Sequence, residues 1–380
     1  MKPDFNFRAS PARSINIFGN LTDSLVNSVA ADILLLRSVS SDPITVFINS
    51  NGGSTRSLEV LEGLLRTSDV DGKHCRIITV ALGNAGSAAA TLLASGDYAV
   101  AYPSAKIHFH GVRLSDAKEV TMERASDLAT WLKDTNNSTA IRLAGGFASR
   151  LVFHYSRLKD EFVKINQASE KPHTEVECFA TCLAERLSPV GNRIVIKALG
   201  RWRSIQDLSA HVFKKLKDEQ IDNETKYDAA ILREIVDYEV KQNAGKDWTL
   251  NAHGIGQVVE DYSILRDYHT GEHNNFLHPL VETFSPAFMS PSENEAFLKA
   301  DDNTKKSLKQ KLAVKIQPFW YFTVSLCRHL QEEENALTNE DAYWLGAVDE
   351  IIGSGLPCIR ELVETNLEQL ELKDRNEQRT

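Results

Sequence analysis

The sequence predicts an α/β fold, built from βαβ units around a mostly parallel sheet and interrupted by a large, mainly helical insertion. Three observations predict it. From residue 14 to residue 110, short apolar and β-branched runs alternate with stretches whose apolar residues fall at helical spacing. Two of those runs end in turns rich in glycine and serine, Asn49-Ser50-Asn51-Gly52-Gly53-Ser54 and Gly83-Asn84-Ala85-Gly86-Ser87-Ala88. Beyond His110 the alternation stops and the helical period takes over for some two hundred residues.

In chain order, a polar, proline-containing arm occupies the first dozen residues. Residues 14–19 read as a strand ending in a glycine turn, and 21–37 as a crossover helix with Thr22 or Asp23 as its cap. A strand follows at 44–48, a helix at 54–65, a strand at 76–82, a helix at 87–95, and short strands at 97–101 and 106–110. Parallel strands joined by helical crossovers bring their carboxyl-end turns to one crevice, and Gly53 and Ser87 both lie on such turns. Residues 120–167 have helical periodicity, broken near Gly145-Gly146. Helices are predicted at 176–187, 204–217 and 229–242, with turns at Asn243-Ala244-Gly245 and Ser290-Pro291-Ser292. A last long helix, 305–330, has an apolar face of Leu308, Leu312, Ile316, Phe319, Phe322 and Leu326. The predicted division is a first part of the core at 1–167, a helical insertion at 168–303, a closing part of the core at 304–360 and a charged tail at 361–380.

Composition excludes several classes. The chain has 380 residues, 42% hydrophobic and 25% charged, enough for two domains or one domain with a large insertion. A formal net charge of −9 argues against general affinity for nucleic acid or for an anionic membrane. There is no apolar leader and no apolar run of membrane-spanning length, so a soluble, cytoplasmic protein is expected. Five scattered cysteines do not suit a disulfide framework. Cys178 and Cys182 are four apart with His173 nearby, yet no second ligand pair completes a zinc pattern, which favours buried helix cysteines over a metal. His269, His273 and His278 have metal-ligand types, but Asn274, Asn275 and Pro279 favour a loop with exposed histidines. The cations of Arg201-Trp202-Arg203 and of Lys214, Lys215 and Lys217 read as solvated helix faces before they read as a basic patch. No phosphate-binding Walker pattern is present, so the chain supplies no ATPase, and no cofactor is expected.

The chemistry centres on Ser87. A serine at a strand-to-helix turn, flanked by Gly and Ala, has an unshielded hydroxyl beside the free N–H groups and positive end of a helix. That suits a nucleophile, and equally an ordinary N-cap. Two further stretches weigh toward the nucleophile. The Gly52-Gly53 turn lets a backbone approach a ligand with no Cβ in the way, and Tyr102-Pro103-Ser104-Ala105-Lys106-Ile107-His108-Phe109-His110-Gly111 carries two alternate histidines to a glycine.

The succession strand–N-S-x-G-G-S, then G-x-A-x-S-A, then P-S-x-x-x-x-x-H resembles the Clp protease proteolytic subunit and its relatives in the crotonase-like superfamily. The resemblance covers about residues 13–115. It resumes at 337–351, where Leu337-Thr338-Asn339-Glu340-Asp341-Ala342 and Gly346-Ala347-Val348-Asp349 resemble the family's closing motif. It implies a serine endopeptidase with Ser87 as nucleophile and, counting from Pro103, His110 as base, with His108 as a flanking residue. The backbone N–H groups of Gly53 and Ala88 would hold the oxyanion. At the third triad position, three residues before Leu337, the family's aspartate is replaced by Glu334, beside Glu332 and Glu333. The resemblance further implies a polypeptide substrate, a homo-oligomer, and a separate ATPase or regulatory protein as partner. A crotonase-like acyl-CoA enzyme would share the fold without needing a Ser–His pair, and a catalytically inactive scaffold would draw its support from the substitution at 334.

Overall fold

A computed structural model describes residues 11–67, 74–113, 121–168, 173–216, 224–242 and 291–359, with a few positions between 258 and 289. Strands β1 (Ser14–Phe18), β2 (Ile44–Ser50), β3 (Ile77–Gly86), β4 (Tyr98–Ala101) and β7 (Glu350–Ile351) lie side by side in that order, all parallel. Crossovers are made by helices α1 (Asp23–Val39), α2 (Thr55–Arg66) and α3 (Ala88–Ser95). Thr22 and Ser54 cap the first two, their hydroxyls accepting from Leu25 N and Ser57 N. The strand period sends Ile77 and Ala81 into the main core, while Ile78 and Val80 join a second cluster with Tyr98 and Val100 on the opposite face.

The run Gly83–Gly86, expected as a turn, instead continues β3. Past a register shift at the end of β2, Asn84 N donates to Asn49 Oδ1 at 3.0 Å, Ser50 pairs with Ala85, and Asn84–Gly86 pairs in parallel with β5 (Lys106–Phe109). Gly83 is needed there, because a Cβ would lie 2.6 Å from Asn49 Oδ1. The turn between strand and helix thus shrinks to Ser87.

The helix α4 (Met122–Ala168) runs 47 residues without the break expected at Gly145-Gly146. Gly146 lies against the end of α3, where a Cβ would sit 3.2 Å from Ala94 O. One turn on, the buried Arg150 guanidinium donates to Asp349 Oδ2 (2.8 Å), Ala94 O (3.0 Å) and Gly96 O (2.9 Å). Asp349 also accepts from Ala99 N at 2.7 Å, so this one pair ties α4, the end of α3, β4 and the segment leading into β7.

All elements described within the insertion are helical: α5 (Glu175–Ala184), α6 (Pro189–Leu216), α7 (Glu224–Gln242) and α8 (Pro291–Lys299). The strands come from residues outside it. Pro291 and Ser292, expected within a turn, instead open α8, since proline suits a first helical position; Ser290 lies outside the described residues. Helix α6 starts well before the expected residue 204. The long α9 (Asp302–Leu330) packs on α4 and α6, and its apolar residues join the same core as β1–β3. The turn at 243–245, the histidines at 269–278 and the tail at 361–380 lie outside the described residues.

After α9 the chain returns to the sheet. Strand β6 (Asn335–Leu337) pairs antiparallel with β5, and α10 (Asn339–Trp344) leads to β7. Buried Asp341 completes a capping box with Thr338 and also accepts from Ser188 N (2.8 Å) and Ser188 Oγ (2.6 Å) at the start of α6. One carboxylate therefore serves two helix N-termini and fastens the insertion to the closing block.

Candidate active site

Ser87 is the sole non-glycine residue with positive φ among the described residues, at φ 54° and ψ −125°. Its side chain makes no capping hydrogen bond, which removes the ordinary N-cap reading. The conformation is fixed on both sides: Ser87 N donates to His108 O at 2.7 Å, and Ser87 O accepts from Ala90 N and Thr91 N. Such strain persists only where its surroundings over-determine it.

The Gly52-Gly53 turn lies directly against this residue. Gly52 has φ +95°, and a Cβ there would fall 2.6 Å from Ser87 Cβ and 2.5 Å from Gly86 O. Gly53, at φ +152°, is held by Leu21, which donates to Gly52 O and accepts from Ser54 N; a Cβ on Gly53 would meet Leu21 O at 2.2 Å. Only glycines let the two turns meet. Ser87, Ala88, Gly52, Gly53 and His110 together line a cleft of about 740 Å³, with Arg113, Trp131 and Arg142 along its rim.

His110 follows the last residue of β5. Its Nδ1 lies 2.6 Å from the carbonyl oxygen of Gly111, and its ring centre 5.5 Å from that of His108. The three glutamates diverge. Glu332 is held by Arg328 and His329; burial alone would raise its carboxyl, but the His329 hydrogen bond and the two charges bring it down to about 2. Glu333 pairs with Lys197 and Arg193, and the Lys197 hydrogen bond lowers its carboxyl. Glu334 alone reaches the histidine strand. Its carboxylate, however, is on His108 Nε2 (2.9 Å) and on Arg113 rather than on His110. His108 lies on the same strand face two residues back, and the Arg113 guanidinium draws the carboxylate that way. Burial, and then the neighbouring His110 and Arg113, hold the His108 imidazole below its ordinary value.

Residues 4–135 match the Clp protease family. That region, about a third of the chain, is Clp protease-like. Over 91 residues it is 41% identical to the ATP-dependent Clp protease proteolytic subunit 1 of Rhodococcus jostii, covering 23% of this chain and 39% of that protein. Over 96 residues it is 38% identical to the proteolytic subunit 2 of Mycobacterium tuberculosis, covering 24% and 42%. Over 119 residues it is 35% identical to the proteolytic subunit 1 of Thermobifida fusca, covering 30% and 50%. The matched stretch spans half or less of each of these relatives. The family match at 4–135 contains Ser87, His110 and both glycine turns, whereas Glu334 stands outside it and is brought back by β6.

Two residues carry no sequence signal: Arg113, which pairs with Glu334, and Asn136, which accepts from Val112 N beside His110. Neither sits in a motif, and Asn136 lies on a helix that the sequence places after the α/β units.

Among the described residues no group of His, Cys, Asp and Glu is arranged to hold a metal, and no helix is long and apolar enough to cross a membrane. Cys178 and Cys182 are buried on α5, and burial pushes both thiols up.

Proposed function

We propose that this chain is a serine endopeptidase of the Clp type. Ser87 Oγ attacks the peptide carbonyl, His110 takes its proton and returns it to the leaving amine, and Glu334 stabilises the imidazolium that forms. The N–H groups of Gly53 and Ala88 receive the oxyanion. Ala88 opens α3, so its N–H is among those without a helical partner.

The observation that carries the reading is the strained Ser87, capping nothing and facing a cleft that it shares with His110 and the Gly52-Gly53 turn. Register supports Glu334. In the β5–β6 ladder Phe109 faces Asn335 and His108 faces Ala336; continued one residue past the end of the ladder, the same register would set Glu334 opposite His110. Asn335 fixes the approach, its amide donating to His329 O, Leu330 O and Glu333 O. In that register Glu334 would be within reach of either histidine, and His108 is the one it engages. Breaking its pair with His108 and Arg113 is the step that brings it to His110.

By likeness to relatives described as proteolytic subunits of an ATP-dependent protease, we assign a polypeptide substrate, assembly as a homo-oligomer and a separate ATPase or regulatory partner. The engagement of Glu334 by His108 and Arg113 favours a second reading, an inactive scaffold with the same fold. Peptide hydrolysis by wild type and by Ser87→Ala separates them: loss of turnover with the fold intact supports the enzyme, and equal turnover, or none in wild type, sinks it.

A further inference from the structure

The segment His110-Gly111-Val112 leaves the sheet through a narrow gap. A Cβ on Gly111 would lie 2.4 Å from Gln331 O, at the end of α9, and 2.8 Å from Asn136 Nδ2, on α4. Within that gap Val112 N donates to Asn136 Oδ1 at 2.7 Å. The Gly111 carbonyl, fixed from both ends, lies 2.6 Å from His110 Nδ1. A carbonyl oxygen only accepts, so this contact puts the proton on Nδ1 and leaves the Nε2 lone pair free. A general base that takes a serine proton through Nε2 needs that tautomer. In serine peptidases a carboxylate usually holds it, yet here Glu334 is occupied by His108 and Arg113.

We infer that Asn136 is a positioning residue for catalysis. By holding Val112 N it sets the Gly111 carbonyl against His110 and fixes the tautomer of the base before the acid is engaged. The inference rests on the reading of Ser87 and His110 as nucleophile and base. It leaves to Glu334 the stabilisation of positive charge, a separate task from orienting the neutral ring.

Two variants test it. Asn136→Leu keeps the volume and removes the acceptor, whereas Asn136→Asp keeps an oxygen for Val112 N. With a fluorogenic peptide, Asn136→Leu is expected to lower kcat by about tenfold or more, toward the loss seen when the base takes the wrong tautomer, with KM little changed. Asn136→Asp should stay close to wild type. Nitrogen-15 NMR of histidine-labelled protein, with the His110 signal identified from His110→Gln, should show the Nδ1–H form in wild type and a mixture in Asn136→Leu. A wild-type His110 protonated on Nε2 overturns the inference without any variant, even if Asn136→Leu does not fold. So does wild-type turnover by folded Asn136→Leu, or equal loss in both variants. Ser87→Ala is the separate control: turnover that survives it refutes the nucleophile itself and leaves the tautomer measurement standing.

Discussion

Replacing Ser87 by glycine is expected to stabilise the protein, while alanine leaves stability nearly unchanged. At φ 54° and ψ −125° an L-residue is strained, and sparsely populated conformations of this kind cost on the order of 1–3 kcal/mol. Glycine relieves the strain but adds freedom to the unfolded chain, a penalty of about 0.5–1 kcal/mol. Neither variant loses a cap bond, since the Ser87 side chain makes none. Together these place Ser87→Gly about 1 kcal/mol above wild type and Ser87→Ala within about 0.5 kcal/mol of it. A capping serine would give a different pattern, with alanine costing about 1 kcal/mol and glycine a few tenths. The strain has an identifiable anchor in the Ser87 N–His108 O bond and the two helix bonds on Ser87 O. The assay is equilibrium denaturant unfolding of the three proteins under identical conditions. A Ser87→Gly protein less stable than wild type would refute the argument that the fold holds this backbone under strain to present the hydroxyl.

Glu334→Gln should cut turnover severely while Glu332→Gln and Glu333→Gln do little, as read from kcat with one peptide; equal behaviour of all three would leave a Ser–His dyad. Gly52→Ala should abolish hydrolysis, because its Cβ would fall 2.6 Å from Ser87 Cβ at a φ of +95°, and full activity in that variant would disprove the contact. Asp349→Ala leaves the Arg150 guanidinium buried without its charge partner, a loss expected to cost about 3–5 kcal/mol in denaturant unfolding. Buried His154 donates through Nε2 to Tyr343 O, and burial holds its imidazole down at about 3. As pH falls below 6.5 the unfolded chain takes up a proton that the folded protein refuses, so stability should drop between pH 6.5 and about 3. Urea midpoints across that range should fall less steeply in His154→Gln; an unchanged slope would place the acid lability elsewhere.

Local rules carried the α/β part of the fold. The strand-helix alternation from Ser14 to Phe109, the capping residues Thr22 and Ser54 and the meeting of the two turns follow from periodicity, side-chain oxygens and glycine. Gly83–Gly86 misled because its composition says turn, while a partner strand twenty residues away keeps it extended. Gly145-Gly146 misled in the opposite sense. Propensity predicts a break, but the helix continues and Gly146 lets α4 lie close to α3. At the site, Ser87, His110 and the glycines were legible as positions, whereas the strain at Ser87, the diversion of Glu334 to His108 and Arg113 and the clamp at Asn136 were not. Each depends on a contact between residues far apart in sequence, which no local pattern encodes. The double role of Asp341 and the Arg150–Asp349 pair were hidden for the same reason.

Fluorophosphonate labelling, followed by mass-spectrometric mapping of the modified residue, tests whether the strained turn presents Ser87 as a nucleophile with His110 as its base. One adduct is expected, on Ser87, forming much more slowly in His110→Gln and absent in Ser87→Ala. An unlabelled Ser87 in the folded wild-type protein, or labelling at an unchanged rate in His110→Gln, would contradict it.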